Sequence, residues 1–212
     1  PIPVDVLLVS DSNLLEVGSE LTKAGGFAID FDNLPHMNSE EIDGLIVALR
    51  SLARVNAPLI FVQAISRIQT LHQRAQYHLA DLAMARIEDG SGISEAAALP
   101  MTGRSKKANI TSPDIQTGFL LGFAANGHDL AVLVASGVTI IACEAPMVNG
   151  MDIAYWLQGT QDELAQHLRR IGVDSIDVLE RVHLRALDHE TASVSGLRLS
   201  GYDRPLPHWF AR

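Results

Sequence analysis

Short apolar runs separated by amphipathic stretches organise this chain. Val4 to Val9 is a valine-rich run that stops at Ser10, Asp11, Ser12 and Asn13, as a buried parallel strand does when it ends in a loop. After Gly25 and Gly26, Phe27 to Phe31 reads as a short strand or as a surface crossing, with the acids Asp30 and Asp32 weighing against burial. Asn38 and Glu41 have capping-box spacing, and Ile42, Leu45, Ile46, Leu49, Leu52 and Ala53 then fall on one helical face. Asn56 to Pro58 ends that helix. Leu59 to Ile65 supplies a second strand, so a right-handed parallel crossover is expected.

Residues 67 to 88 predict a helix with Leu71, Ala75, Leu79, Leu82 and Ala83 on one side, ended by the turn Asp89 to Gly92. Ser94 to Ser112 is irregular in pattern. Ser112 and Pro113 predict a helix start, Ile115, Phe119, Leu120 and Phe123 its inner face, and Asn126-Gly127 its end. Leu130 to Ala135 then reads as a third core strand, Val138 to Ala142 as an apolar run after Gly137, and Glu163 to Ile171 as a helix. The alternation predicts an α/β fold, three-layer α/β/α with a mainly parallel central sheet. One domain over residues 1–187 is expected, followed by a tail over 188–212. The tail's end, Tyr202 to Phe210, is apolar enough to pack on another subunit, which predicts a homo-oligomer.

Composition narrows the partners. The 212 residues carry a formal net charge of −9, 47% are hydrophobic and 19% charged, which sets the chain far from the disordered regime. An acidic chain repels phosphate backbones unless its cations cluster, and the only short basic run is Arg104, Lys106 and Lys107, so nucleic acid is not expected as a partner. The first apolar run is too short to span a bilayer and no targeting pattern precedes it, so a cytoplasmic, non-membrane protein is expected. A single cysteine, Cys143, cannot form an internal disulfide. It is either a small buried hydrophobe or a reactive thiol.

Open parallel sheets hold their chemistry just past the carboxyl ends of the strands. Those places carry Asp11 and Asn13, Gln63, and Cys143 with Glu144, while Lys106 and Lys107 lie in the irregular stretch. A thiolate attacks carbonyl carbon, and a nearby cation or base makes it available at neutral pH. Asp11 has the right type to exchange a proton with the thiol, and a lysine the right charge to hold the thiolate. Each has a plainer alternative: Cys143 as core filler, Asp11 as a turn cap, the lysines as solvated charges. Asp30-Phe31-Asp32 has the outline of a phosphatase Asp-x-Asp motif, but Leu34 stands where a threonine belongs, so an acid-rich surface turn is the better account. The histidines show no i, i+4 pair such as a metal site on a helix uses.

Order and spacing along residues 4 to about 180 resemble the isochorismatase-like (cysteine hydrolase) superfamily. The resemblance rests on Leu7-Leu8-Val9-Ser10-Asp11-Ser12-Asn13, with Asn13 where a glutamine is usual, on Ala53-Arg54 before Pro58-Leu59-Ile60-Phe61-Val62-Gln63, on Leu99-Pro100, Lys106-Lys107, Thr117 and Gly127, and on Gly137-Val138 six residues before Cys143. It implies a hydrolase that cleaves a small amide-type C–N bond, or a vinyl ether, through Cys143 as nucleophile, Asp11 as acid and base, and Lys107 (or Lys106) as the poising cation. It further implies a cis peptide at Val138-Thr139 beside the oxyanion site, with Ala142 and Cys143 N–H groups as donors and Asn13 and Gln63 near a small-molecule substrate. Gln63 is followed by Ala64, Ile65 and Ser66 rather than an Asp-x-His metal set, so neither metal nor other cofactor is expected. The alternative is a catalytically inactive relative acting as an oligomeric binding or scaffold protein.

Overall fold

The structure is a computed structural model that describes residues 5–87, 92–108, 115–144, 146 and 153–202, with the side chains of 104–108 outside that description. Six strands, β1 (Val6–Val9), β2 (Gly26–Asp30), β3 (Leu59–Ala64), β4 (Leu82–Arg86), β5 (Gln116–Leu120) and β6 (Ile140–Ala142), form one all-parallel curled sheet in the order β1-β2-β3-β4-β5-β6. Among the described residues there are seven α-helices: α1 (Val17–Leu21), α2 (Ser39–Leu52), α3 (Ile68–Tyr77), α4 (Glu95–Ala108), α5 (Gly127–Ala135), α6 (Ile153–Ile171) and α7 (His189–Ser195). The expected α/β class with a parallel central sheet is what the chain adopts.

The two faces of the sheet are furnished differently. Strand alternation sends Phe27, Ile29, Leu59, Phe61, Ala83 and Phe119 to one face, where they meet Leu21, Ile46, Leu49, Leu71, Leu99 and Leu133 from α1 to α5. On the opposite face Ala28, Val62, Leu82 and Met84 pack with Ile60, Leu120 and Ala142, all strand residues, so the curl lets the strands fill that face themselves. Sequential parallel order produces this bias when the crossovers follow the usual right-handed rule, because each new helix then lands beside the last. Beyond the first helix shell, Leu164 and Leu168 of α6 cover Ala131 and Ala135 of α5.

Four local expectations are corrected. Ser94 to Ser112, irregular in pattern, holds helix α4 over Glu95–Ala108. The pattern over residues 113–126 predicts a helix, but Gln116–Leu120 is strand β5, with Phe119 fully buried between β4 and β6. Leu130 to Ala135 is expected as a strand, but it lies in α5, where Asn126 caps the helix by accepting from Asp129 N while the Asp129 carboxylate accepts from Asn126 N. The expected helix over 67–88 stops at Tyr77, because Leu79 takes a positive φ of 52° and Ala80 and Asp81 lead into β4. Phe27 to Phe31, ambiguous from sequence, is buried β2. The tail begins as an ordered unit: α7 buries Ala192 with Ala186, Leu197 and Leu199, and packs on α4. Tyr202 is exposed, and the remainder of the apolar end expected to meet another subunit, residues 203–210, lies outside the described residues.

Candidate functional site

The carboxyl ends of β2, β3 and β4 meet in a charged cluster. Asp30 ends β2 and Asp32 follows it; Arg67 lies just past β3 and Arg86 ends β4. Asp32 Oδ2 accepts from the Ala64 backbone N–H at 2.6 Å and from Arg86 Nη2 at 3.2 Å, while its Oδ1 accepts from Arg67 Nη1 at 3.3 Å. Asp30 Oδ2 accepts from Asn33 Nδ2 at 2.7 Å, and its Oδ1 accepts from Asp32 N at 3.2 Å and lies 3.7 Å from Arg86 Nη2. Two carboxylates facing two guanidiniums explain why Asp30 tolerates being only 4% exposed. The expectation of an acid-rich surface turn is thereby corrected. Phe31, between the two acids, stands edge-on to Phe61 at 4.9 Å and under the Arg74 guanidinium at 4.6 Å, which clamps the strand end. Burial, then the neighbouring Arg67, lowers the Arg74 pKa from its usual value.

The cluster is not saturated. Arg86 Nε is buried without a hydrogen-bond partner, and so is Oε1 of Gln63, two residues along the neighbouring strand from Phe61. By strand alternation Arg86 shares the strand-filled face with Met84, and Gln63 shares the helix-covered face with Phe61. Arg86 keeps 23% of its side chain exposed, and among the described residues its Nη1 donates to nothing. Such an arrangement can hold an anion against a guanidinium.

Comparison with known proteins finds no family model that matches this sequence and no match among curated proteins. The chemistry therefore rests on this chain's own residues.

Asp11 and Cys143 follow β1 and β6, the two edge strands, with four strands between them. Asp11 is exposed and donates its backbone N–H to Asn33 O at 2.7 Å; Cys143 is half-buried against the main core. No hydrogen bond or ion pair among the described residues joins them. Asn13 is used locally: its Oδ1 accepts from Ser10 N at 2.9 Å and its Nδ2 donates to Leu8 O at 2.6 Å, stitching the turn after β1. Lys106 and Lys107 lie in the last turn of α4, at the helix end that leads back toward the start of β5, and their side chains fall outside the description.

Gly137-Val138 has a structural explanation. Gly137, at φ 86°, donates to Val134 O at 2.8 Å and Val138 donates to Leu133 O at 3.1 Å, the paired bonds of a Schellman stop at the end of α5. No cis peptide occurs among the described residues, so the expected cis bond at Val138-Thr139 is corrected to trans. Thr139 bonds Thr117 O through both its N–H and its hydroxyl, at the amino end of β6, while Ala142 O accepts from Leu121 N at the other end. The Asp30, Asp32, Arg67 and Arg86 cluster escaped sequence reasoning. Its one visible signal was that β2 and β4, otherwise apolar, each end in a charge.

Proposed function

We propose that this chain is an α/β binding domain for a small anionic molecule, seated past the carboxyl ends of β2 to β4 with Arg86 as the anion-holding group. The carrying observation is Arg86 itself: a largely buried guanidinium at the end of a central strand, anchored through Nη2 by Asp32 and with Nε and Nη1 uncommitted among the described residues. Central parallel strands deliver ligands to this end of the sheet, and a guanidinium fork suits carboxylate or phosphate geometry. Titration calorimetry with citrate and with inorganic phosphate tests it. Arg86→Lys keeps the charge that balances Asp30 and Asp32 but loses the planar fork, so binding is expected to weaken about tenfold or more. Equal affinity in the variant overturns the assignment.

A second reading, the amide or vinyl-ether hydrolase with Asp11, Lys107 and Cys143, is supported by one position: Cys143 stands half-buried on the ligand side of β6. It requires a thiol that alkylates at pH 7 faster than a free cysteine, and a turnover that Cys143→Ala abolishes. A sluggish thiol leaves the binding reading alone.

A further inference from the structure

A cavity of about 320 Å³ lies between α4, α5, α6 and the segment that runs from His183 into α7. It shares no residue with the Arg86 cluster. Leu99, Ala131, Ile171, Leu184 and Leu197 give it apolar walls from both the main domain and the carboxyl-terminal segment. Its size falls at the lower end of the range for small-ligand pockets.

The polar groups around it are mostly donors. His183 Nδ1 accepts the Glu180 backbone N–H at 3.0 Å, which places the proton of the neutral ring on Nε2 and makes that atom a donor. Arg185 is held by two bonds from Nη1, to Val182 O at 2.5 Å and Leu184 O at 2.8 Å, which leaves Nη2 and Nε without protein acceptors among the described residues. His128 and His167 meet edge to face at 5.3 Å, with Asp129 and Glu163 carboxylates 3.9 and 3.7 Å from their respective ring nitrogens. The one acid in the lining, Asp188, is spent on its own helix: its Oδ1 accepts from Thr191 N at 2.7 Å and its Oδ2 from Thr191 Oγ1 at 2.9 Å. Apolar walls with a surplus of donors, one of them a permanent cation, call for an apolar body carrying an acceptor charge.

We infer that this cavity binds a small monocarboxylate with a compact aryl or branched-alkyl body, its carboxylate on Arg185 and His183 and its body between α5 and Leu184. The carboxyl-terminal segment thus closes one wall of a ligand site.

Methyl NMR on the full chain tests this with phenylacetate and its neutral isostere phenylacetamide as probes. Phenylacetate is expected to move the Leu184, Leu197 and Ile171 methyls saturably while Val62 and Met84, on the far face of the sheet, stay still. Phenylacetamide, and phenylacetate on Arg185→Gln, are expected to bind roughly tenfold more weakly. Arg185 is an exposed side chain, so that variant keeps its fold. Absence of saturable shifts at these methyls, equal binding of acid and amide, or unchanged affinity in Arg185→Gln overturns the inference. Shifts confined to Val62 and Met84 overturn it too, and assign the carboxylate to the Arg86 cluster instead.

Discussion

His78 shows how much one side chain's surroundings dictate at the scale of a residue. It ends α3, stands 4.8 Å from the Tyr77 ring and 5.9 Å from Phe61, and reaches Asp43 of α2 at 3.2 Å. Burial lowers its pKa below the ordinary imidazole value; Asp43 pulls the other way, and Arg50 and Arg74 add to the lowering. A lowered pKa means the folded chain holds this proton less tightly than the unfolded chain, so stability contributed here is complete above the unfolded value near 6.5 and is lost as pH falls through it. Urea midpoints measured between about pH 7.5 and 5.5 are expected to fall, with a shallower fall in His78→Gln. Asp188 sets a separate window: its bonds from the Thr191 N–H and hydroxyl lower its pKa, so the contribution of its cap is lost only as pH falls through the carboxylate range. A midpoint that is flat across the imidazole range would remove His78 from the account.

Helix α5 and strand β5 carry the lesson at the scale of elements, since their identities are exchanged relative to what the apolar pattern predicts. Leu130 to Ala135 is a six-residue apolar run, and a run of that length reads equally as a buried strand or as a helix covered on several sides. It is covered by the sheet core through Leu133 and by α6 through Ala131 and Ala135, so no polar face marks it as helical. Its ends decide the matter: Asn126 with Asp129 at the start and Gly137 at the stop are helix signals, and Asn126-Gly127 is a cap rather than a turn. Asn126→Ala is therefore expected to cost about 1 kcal/mol in denaturant unfolding, whereas a turn residue in a loop would cost little. Segments whose pattern has one solution, β1, α2 with its Asn38–Glu41 box, β3 and the β6 run, are legible in the sequence. The site is less so. Gln63 at the end of β3 is visible as a polar residue closing an apolar strand, but the Asp32–Arg86 pair spans 54 positions, and only sheet register brings it together.

At the scale of the whole molecule the question is whether the segment after α6 is an appendage or part of the domain. Leu179 is buried with Ala131 and Ala135 of α5, and Leu184 bridges this cluster to the one around α7. The Arg181 guanidinium ties the segment at two points, donating to Pro100 O in α4 and to Ser195 O in α7. Gly103 of α4 makes room for this approach, since a Cβ there would sit 2.5 Å from Ser136 O and 3.3 Å from Arg181 Nη1. One side chain thus satisfies carbonyls on elements far apart in sequence, and its removal is felt by the core rather than by a tail. Arg181→Met keeps the apolar stem but leaves both carbonyls without that donor, for an expected loss of about 1–3 kcal/mol. Because α4, α5 and α7 share the packing, the variant is expected to unfold in one cooperative transition at a lower temperature, with near-UV signal and backbone signal moving together. An early, separate transition with the main unfolding unshifted would mean that the segment is a dispensable appendage, and the cavity it walls would then lack a fixed roof.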